Sequence, residues 1–223
     1  MAYAQAKRVD AETIPVVDIT GLRDGTDAAG VAKDLHAASQ GLGFIYIKGH
    51  GIPNAVMEAA RATAFEFFRA SEADKRSVAV SASHRGYLGQ GGAKMQSDAR
   101  PDLKESFIWG YQDSDGGVPE DHPLRGPNQW PAFIPSLRED AMAYFDHTHA
   151  VAHHLMRGFA LGLGLDEAFF LTSCEQPLSR ASLVYYPAQS EDMGEHQFGV
   201  GPHTDFGVMT VLCQDSVGGL QVQ

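Results

Sequence analysis

Cysteine is close to absent. The 223 residues hold two, Cys174 and Cys213, and they form no CxxC pair. A disulfide framework is excluded, and two reduced thiols fit a cytoplasmic protein. Positive charge is also scarce. Lys and Arg number 17 against 28 Asp and Glu, a net charge of −11. Such a surface repels phosphate backbones and anionic lipid, which argues against nucleic-acid and membrane partners. No apolar run reaches membrane-spanning length. Residues 1–10 lack the apolar core of a secretory signal. There is no internal repeat and no low-complexity linker. The phosphate loop GxxxxGK[ST], the GxSxG elbow and the HExxH helix are all missing. Gly41-Leu42-Gly43 stands between a helix and a strand, the reverse of the dinucleotide-binding order.

What is present is a globular composition, 43% apolar and 20% charged, at a length suited to a single sizeable domain. Residues 14–19 read as a short strand, with Pro15 marking an edge or a strand start. Residues 27–40 read as a helix with Val31, Leu35 and Ala38 at helical spacing, ended by Gly41 and Gly43. Residues 44–47 are a buried-strand candidate. Residues 53–69 form a second helix with Val56, Ala60, Ala64, Phe67 and Phe68 on one side. Residues 81–99 and 113–131 are rich in Gly, Asp or Pro and read as loops around a short strand at 106–110. Ser136, with Glu139 three positions on, has capping-box spacing. It opens a long helix whose Leu137, Ala141, Phe145, Thr148, Ala152, Leu155, Phe159 and Leu163 trace one face. Gly164 stops that helix, and a short helix is expected at 166–171. Strands follow at 182–186 and 208–214, and a third begins at 220. Helices first and clustered strands later predict an α+β fold. Three strands after Ser182 cannot close a barrel or sandwich, so the natural sequence is expected to continue past Gln223. The isolated chain is then expected to show open strand edges and to self-associate.

The chemistry-bearing motif is Gly201-Pro202-His203-Thr204-Asp205. Residues i and i+2 on a strand point to the same face, so His203 and Asp205 would present an imidazole and a carboxylate side by side. That is two-thirds of a 2-His-1-carboxylate triad, which leaves coordination positions open on iron. HxD alone is a short pattern that matches often by accident, and its flanks decide its value. The run from His203 through Phe206-Gly207-Val208-Met209-Thr210-Val211-Leu212-Cys213-Gln214-Asp215 to Gly218-Gly219-Leu220-Gln221-Val222 resembles the iron-binding hairpin of the isopenicillin N synthase-like, 2-oxoglutarate- and Fe(II)-dependent oxygenases. Tyr185-Tyr186-Pro187 is similar to that family's YYP strand. Ile14-Pro15-Val16-Val17-Asp18, Gly43-Phe44-Ile45-Tyr46, His50-Gly51-Ile52-Pro53, Arg85-Gly86-Tyr87 and Lys104-Glu105-Ser106-Phe107 fit as well, in the right order.

The resemblance implies a double-stranded β-helix, or jelly roll, with flanking helices, incomplete in this chain. It implies a single domain over 1–223, with an N-terminal oxygenase segment at 14–130 and the first part of the iron-binding module at 178–223. His203 and Asp205 would ligate Fe(II), with O2 and 2-oxoglutarate as co-substrates and a small organic molecule oxidised at a C–H bond. Tyr186 would contact a co-substrate or substrate carboxylate; its plain alternative is a packed strand residue. The family's second histidine ligand and its Arg-x-Ser segment lie further downstream than Gln223, so the chain as it stands is expected to hold iron weakly and to be inactive. Two other readings stay open: an isopenicillin N synthase-like oxidase that uses no oxoacid, and a non-catalytic jelly-roll or cupin-like binding module. The oligomeric state and the substrate are not legible.

The remaining histidines and arginines carry weaker signals. His149 and His153 stand four apart on the long helix with His147 and His154, where a packed or solvated face is the simpler account. His50 suits a backbone-bonded turn, and His84 lies beside Arg85. Arg85 and His196 are candidate substrate contacts, and Arg180 offers a guanidinium for an acidic group. A surface ion pair is the simpler role for each arginine.

Overall fold

The computed structural model describes residues 13–41, 43–92, 102–112, 122–188, 199–201, 203–205 and 207–220. They fall into two compact units, one within 55–145 and 178–208, the other within 13–54, 146–177 and 209–220. The α+β expectation is met. No helix among the described residues is long and apolar enough to cross a membrane.

The second unit begins with β1 (Val16–Asp18), α1 (Thr20–Asp24), α2 (Ala28–Ser39) and β2 (Tyr46–Lys48). β1 and β2 run parallel, Val16 opposite Tyr46. Helix α2 starts where Asp27 implies, because its carboxylate accepts a hydrogen bond from the Gly30 backbone N–H at 2.9 Å and satisfies an otherwise orphaned donor. Helix α1 escapes a sequence reading because five residues are too few to show a period. Val17, Ile19, Leu22, Val31, Leu35, Val151 and Leu155 form this unit's core. The buried strand expected at 44–47 is a correction: Phe44 and Tyr46 are each 43% exposed. Only the alternate positions Ile45 and Ile47 pack on the core, as the period of two requires.

The first unit holds α3 (Asn54–Arg69), α4 (Glu72–Arg76), β3 (Gly86–Leu88), β4 (Glu105–Gly110), β5 (Arg180–Tyr185) and the start of α5 (Leu137–Gly162). β3, β4 and β5 form an antiparallel sheet with β4 in the middle. Phe107 stands opposite both Tyr87 and Leu183. All six residues of β4 are buried. Phe67, Phe68, Tyr87, Phe107, Trp109, Leu137 and Phe145 form the core against it. Within that core Lys75 Nζ and the Tyr87 hydroxyl both donate to Glu105 Oε2, each at 2.6 Å. Burial first, then the Glu105 and Glu72 carboxylates, push the Tyr87 phenol far above its ordinary pKa.

Several elements differ from expectation. β3 lies in the glycine-rich stretch read as loop; three residues give no alternation to detect. The predicted continuous face of α5 is instead two sets of buried positions. Leu137, Ala141 and Phe145 serve the first unit's core, Val151 and Leu155 the second's, and Leu163 is 56% exposed. Gly164 does end the helix: at φ 73 it lets Leu165 N–H reach the Ala160 carbonyl at 2.9 Å. Residues 166–170 form turns, and a 3-10 helix follows at Leu171–Ser173. The strand predicted at 208–214 is not formed. Its apolar, β-branched run suits a strand, but a strand exists only as part of a ladder, and no described strand pairs with it. Residues 93–99, 113–121 and 221–223, covered by the loop and strand expectations, lie outside the described residues.

Candidate metal centre

His203 and Asp205 sit on irregular backbone in the first unit, not on the strand that the i, i+2 argument assumed. Their side chains nevertheless converge, with His203 Nε2 at 3.3 Å from Asp205 Oδ1. The other ring nitrogen explains the orientation. His203 Nδ1 lies 2.8 Å from the Gly201 carbonyl oxygen. A carbonyl only accepts, so the ring donates from Nδ1 and, in the neutral imidazole, turns the Nε2 lone pair toward the carboxylate. Two lone pairs facing each other repel unless a cation or proton lies between them.

The donor set therefore fits a divalent first-row metal. Two ligands each about 2.1 Å from one ion, at right angles, stand about 3 Å apart. A histidine whose second nitrogen donates to a main-chain carbonyl is the usual arrangement for a metal ligand. The side chains are 35% and 56% exposed, so the pair is reachable from solvent. No group of three or more His, Cys, Asp or Glu suited to a metal occurs among the described residues.

Tyr186 follows β5 and is half-exposed. Its ring lies against Gly199, where a Cβ would come within 2.7 Å of Tyr186 Cδ1, so glycine permits the approach. Partial burial and the negative charge of Asp102 raise the Tyr186 phenol above its ordinary pKa. Arg85 is 1% exposed, and its guanidinium donates to the carbonyls of Ser83, His84 and Leu124 at 3.3, 3.4 and 3.0 Å. A substrate contact from Arg85 would have to give up such bonds. His196 lies outside the described residues. Arg180 opens β5 and is exposed. His50 accepts from the Ile52 backbone N–H at 3.1 Å, the local turn bond expected of it.

In the second unit, the His149 and His153 rings stand 4.4 Å apart at 54°. Partial burial and then His153 hold His149 below the ordinary histidine pKa, against an opposing pull from Asp146. Neither belongs to the His203 pair. A surface groove lined by Phe65, Glu66, Arg69, Phe133 and Ile134 contains none of the candidate residues. One residue that sequence reasoning missed touches the site's backbone: Asp102, 3% exposed, accepts from the Gly201 N–H. No spacing pattern announces a contact between residues so distant in the chain.

Comparison with known proteins identifies the family. Residues 14–133 match the model described as non-haem dioxygenase in morphine synthesis, N-terminal, and residues 179–223 match the 2OG-Fe(II) oxygenase superfamily. The second match contains His203, Asp205 and Tyr186. Validamycin A dioxygenase of Streptomyces hygroscopicus subsp. limoneus is 34% identical, over 94% of this chain and 60% of its own length. Clavatol oxidase of Penicillium crustosum is 32% identical over 94% of this chain and 69% of its own. The crystal structure of a full-length Neurospora crassa protein in complex with alpha-KG superposes with a TM-score of 0.74 at 28% identity, covering 92% of this chain and 65% of that one. The chain thus spans about 60% of the length of the first curated relatives it matches. The solved neighbours are 2OG-Fe(II) oxygenases, which have a jelly-roll fold, and β3-β4-β5 is the antiparallel sheet among this chain's described residues.

Proposed function

The chain belongs to the 2OG-Fe(II) oxygenase superfamily, and from that premise we propose that the protein is a non-haem Fe(II) oxygenase that uses 2-oxoglutarate and O2 to oxidise a C–H bond of a small organic substrate. The convergence of His203 Nε2 and Asp205 Oδ1 at 3.3 Å carries the reading. His203 and Asp205 hold the metal. Bound there, iron supplies the one-electron and oxygen chemistry that protein side chains lack. The chain's own residues do the rest. The Gly201 carbonyl fixes the imidazole tautomer, and the half-exposed Tyr186 is the candidate to donate its hydroxyl to a carboxylate of co-substrate or substrate. Its raised pKa keeps it a donor at neutral pH. In this reading segments 14–130 and 178–223 belong to a single oxygenase domain, and His196 is a further candidate for the substrate. Free Cys174 and Cys213 suit a cytoplasmic location.

Oxygen uptake and succinate release with Fe(II), ascorbate and 2-oxoglutarate test the proposal. In the full-length protein, turnover that depends on 2-oxoglutarate and is abolished by His203→Ala is the expected result. Oxygen uptake without the oxoacid would move the protein to the oxidase branch. That only two donors meet among the described residues favours a second reading, a jelly-roll binding module. Metal binding without any oxygen uptake would establish that one instead.

A further inference from the structure

Asp102 precedes β4 and is almost wholly buried, at 3% exposure. A buried carboxylate is costly unless its bonds compensate. Its own backbone carbonyl is fixed by the Gly91 N–H at 2.9 Å. Its side chain makes one hydrogen bond among the described residues: Oδ1 accepts from the Gly201 N–H at 3.1 Å. Oδ2 has no hydrogen-bond partner among the described residues, and Lys104 Nζ lies 3.8 Å from it. The next residue, Leu103, donates its N–H to the Gly199 carbonyl, also at 3.1 Å. Residues 102 and 103 therefore grip 199–201 at two points. From Gly201 the contacts pass straight to a ligand, because its carbonyl takes the His203 Nδ1–H.

We propose that Asp102 is a positioning residue for the metal centre: its Oδ1 fixes the Gly201 backbone, and through it the tautomer and aim of His203. The inference rests on His203 and Asp205 being the ligands. The oxygen acceptor, more than the charge, does the positioning, since the contact to Gly201 is an N–H donating to Oδ1. Without the acceptor, Gly201 gains freedom, its carbonyl no longer meets Nδ1–H in one orientation, and the imidazole must be ordered at the moment of metal capture. Outer bonds of this kind typically change metal affinity about 10- to 100-fold.

The test is a Co(II) titration of the full chain, read by the visible absorption of the bound ion, for the unaltered protein, Asp102→Ala, Asp102→Asn and His203→Ala. Nitrogen NMR of the His203 ring in the metal-free protein accompanies it. Asp102→Ala should weaken Co(II) binding by about tenfold or more and mix the His203 tautomers, while Asp102→Asn, which keeps the oxygen acceptor, stays within about threefold with the Nδ1–H tautomer intact. Asp102→Ala binding as tightly as the unaltered protein, while His203→Ala binds nothing, overturns the inference and leaves the metal-centre reading standing. An unaltered chain that takes up no Co(II) overturns that reading and the inference with it. Should Asp102→Ala fail to fold, Asp102→Asn decides: an unchanged tautomer and affinity support the inference, and their loss overturns it.

Discussion

Strand β4 and the segment around His203 belong to the same compact unit and are held in opposite ways. β4 has a partner on each side, and all six of its residues are buried. Segment 203–205 has no strand partner among the described residues, and His203, Thr204 and Asp205 are exposed. Each region contains an acid–base pair. Lys75 and Glu105 meet at 2.6 Å with both side chains under 10% exposed, and Tyr87 completes the acceptor. His203 and Asp205 meet at 3.3 Å with side chains 35% and 56% exposed. The contrast teaches that a pair shut into the core serves stability, whereas a pair of donors held at the surface stays reachable by a solute.

The largest way to break that contrast is Lys75→Met. It strands the Glu105 carboxylate in the core and should cost about 3–5 kcal/mol in chemical denaturation. A loss under about 1 kcal/mol would mean the pair is no more structural than an exposed one. A local bond calibrates the scale: Asp27→Ala removes the cap of α2 and should cost about 1 kcal/mol by the same measurement. His203→Ala belongs at the other end, with metal-free stability changing by about 0.5 kcal/mol or less although metal uptake is lost. A large loss of metal-free stability would show that segment 203–205 is part of the scaffold after all.

The smallest effect is one of pH. His149 is held below the ordinary value of 6.5 in the folded chain. Just under that value the unfolded chain binds the proton more readily than the folded one. Stability therefore falls as pH drops through about 6.5 and levels off below the folded value. Denaturation midpoints between about pH 7 and pH 5 should decline less steeply in His149→Gln. An unchanged slope would remove His149 from the account and leave His154, shifted in the same direction by burial and Arg157.

What was legible in the sequence had a local cause. Asp27 capping α2, the apolar spacing of α3 and α5, and Gly164 ending α5 each act within a turn or two of chain. β3, α1 and α4 span three to five residues and carry no readable period. The stretch 208–214 differs for the converse reason: its apolar, β-branched composition suits a strand, but pairing is not local. The candidate site divides the same way. His203 and Asp205 announce themselves by spacing and flanks. Asp102 meets Gly201 across 99 residues, with nothing local to mark it.

The shared Glu105 oxygen has a consequence for how the sheet assembles. Tyr87 stands opposite Phe107, which lies on the same face of β4 as Glu105. Sliding β3 by a single residue would send the phenol to the far side of the sheet and leave the acid with its lysine alone. Misalignment is thereby penalised by a lost bond as well as by poor packing, so this small polar cluster discriminates between competing strand alignments that grease alone would tolerate.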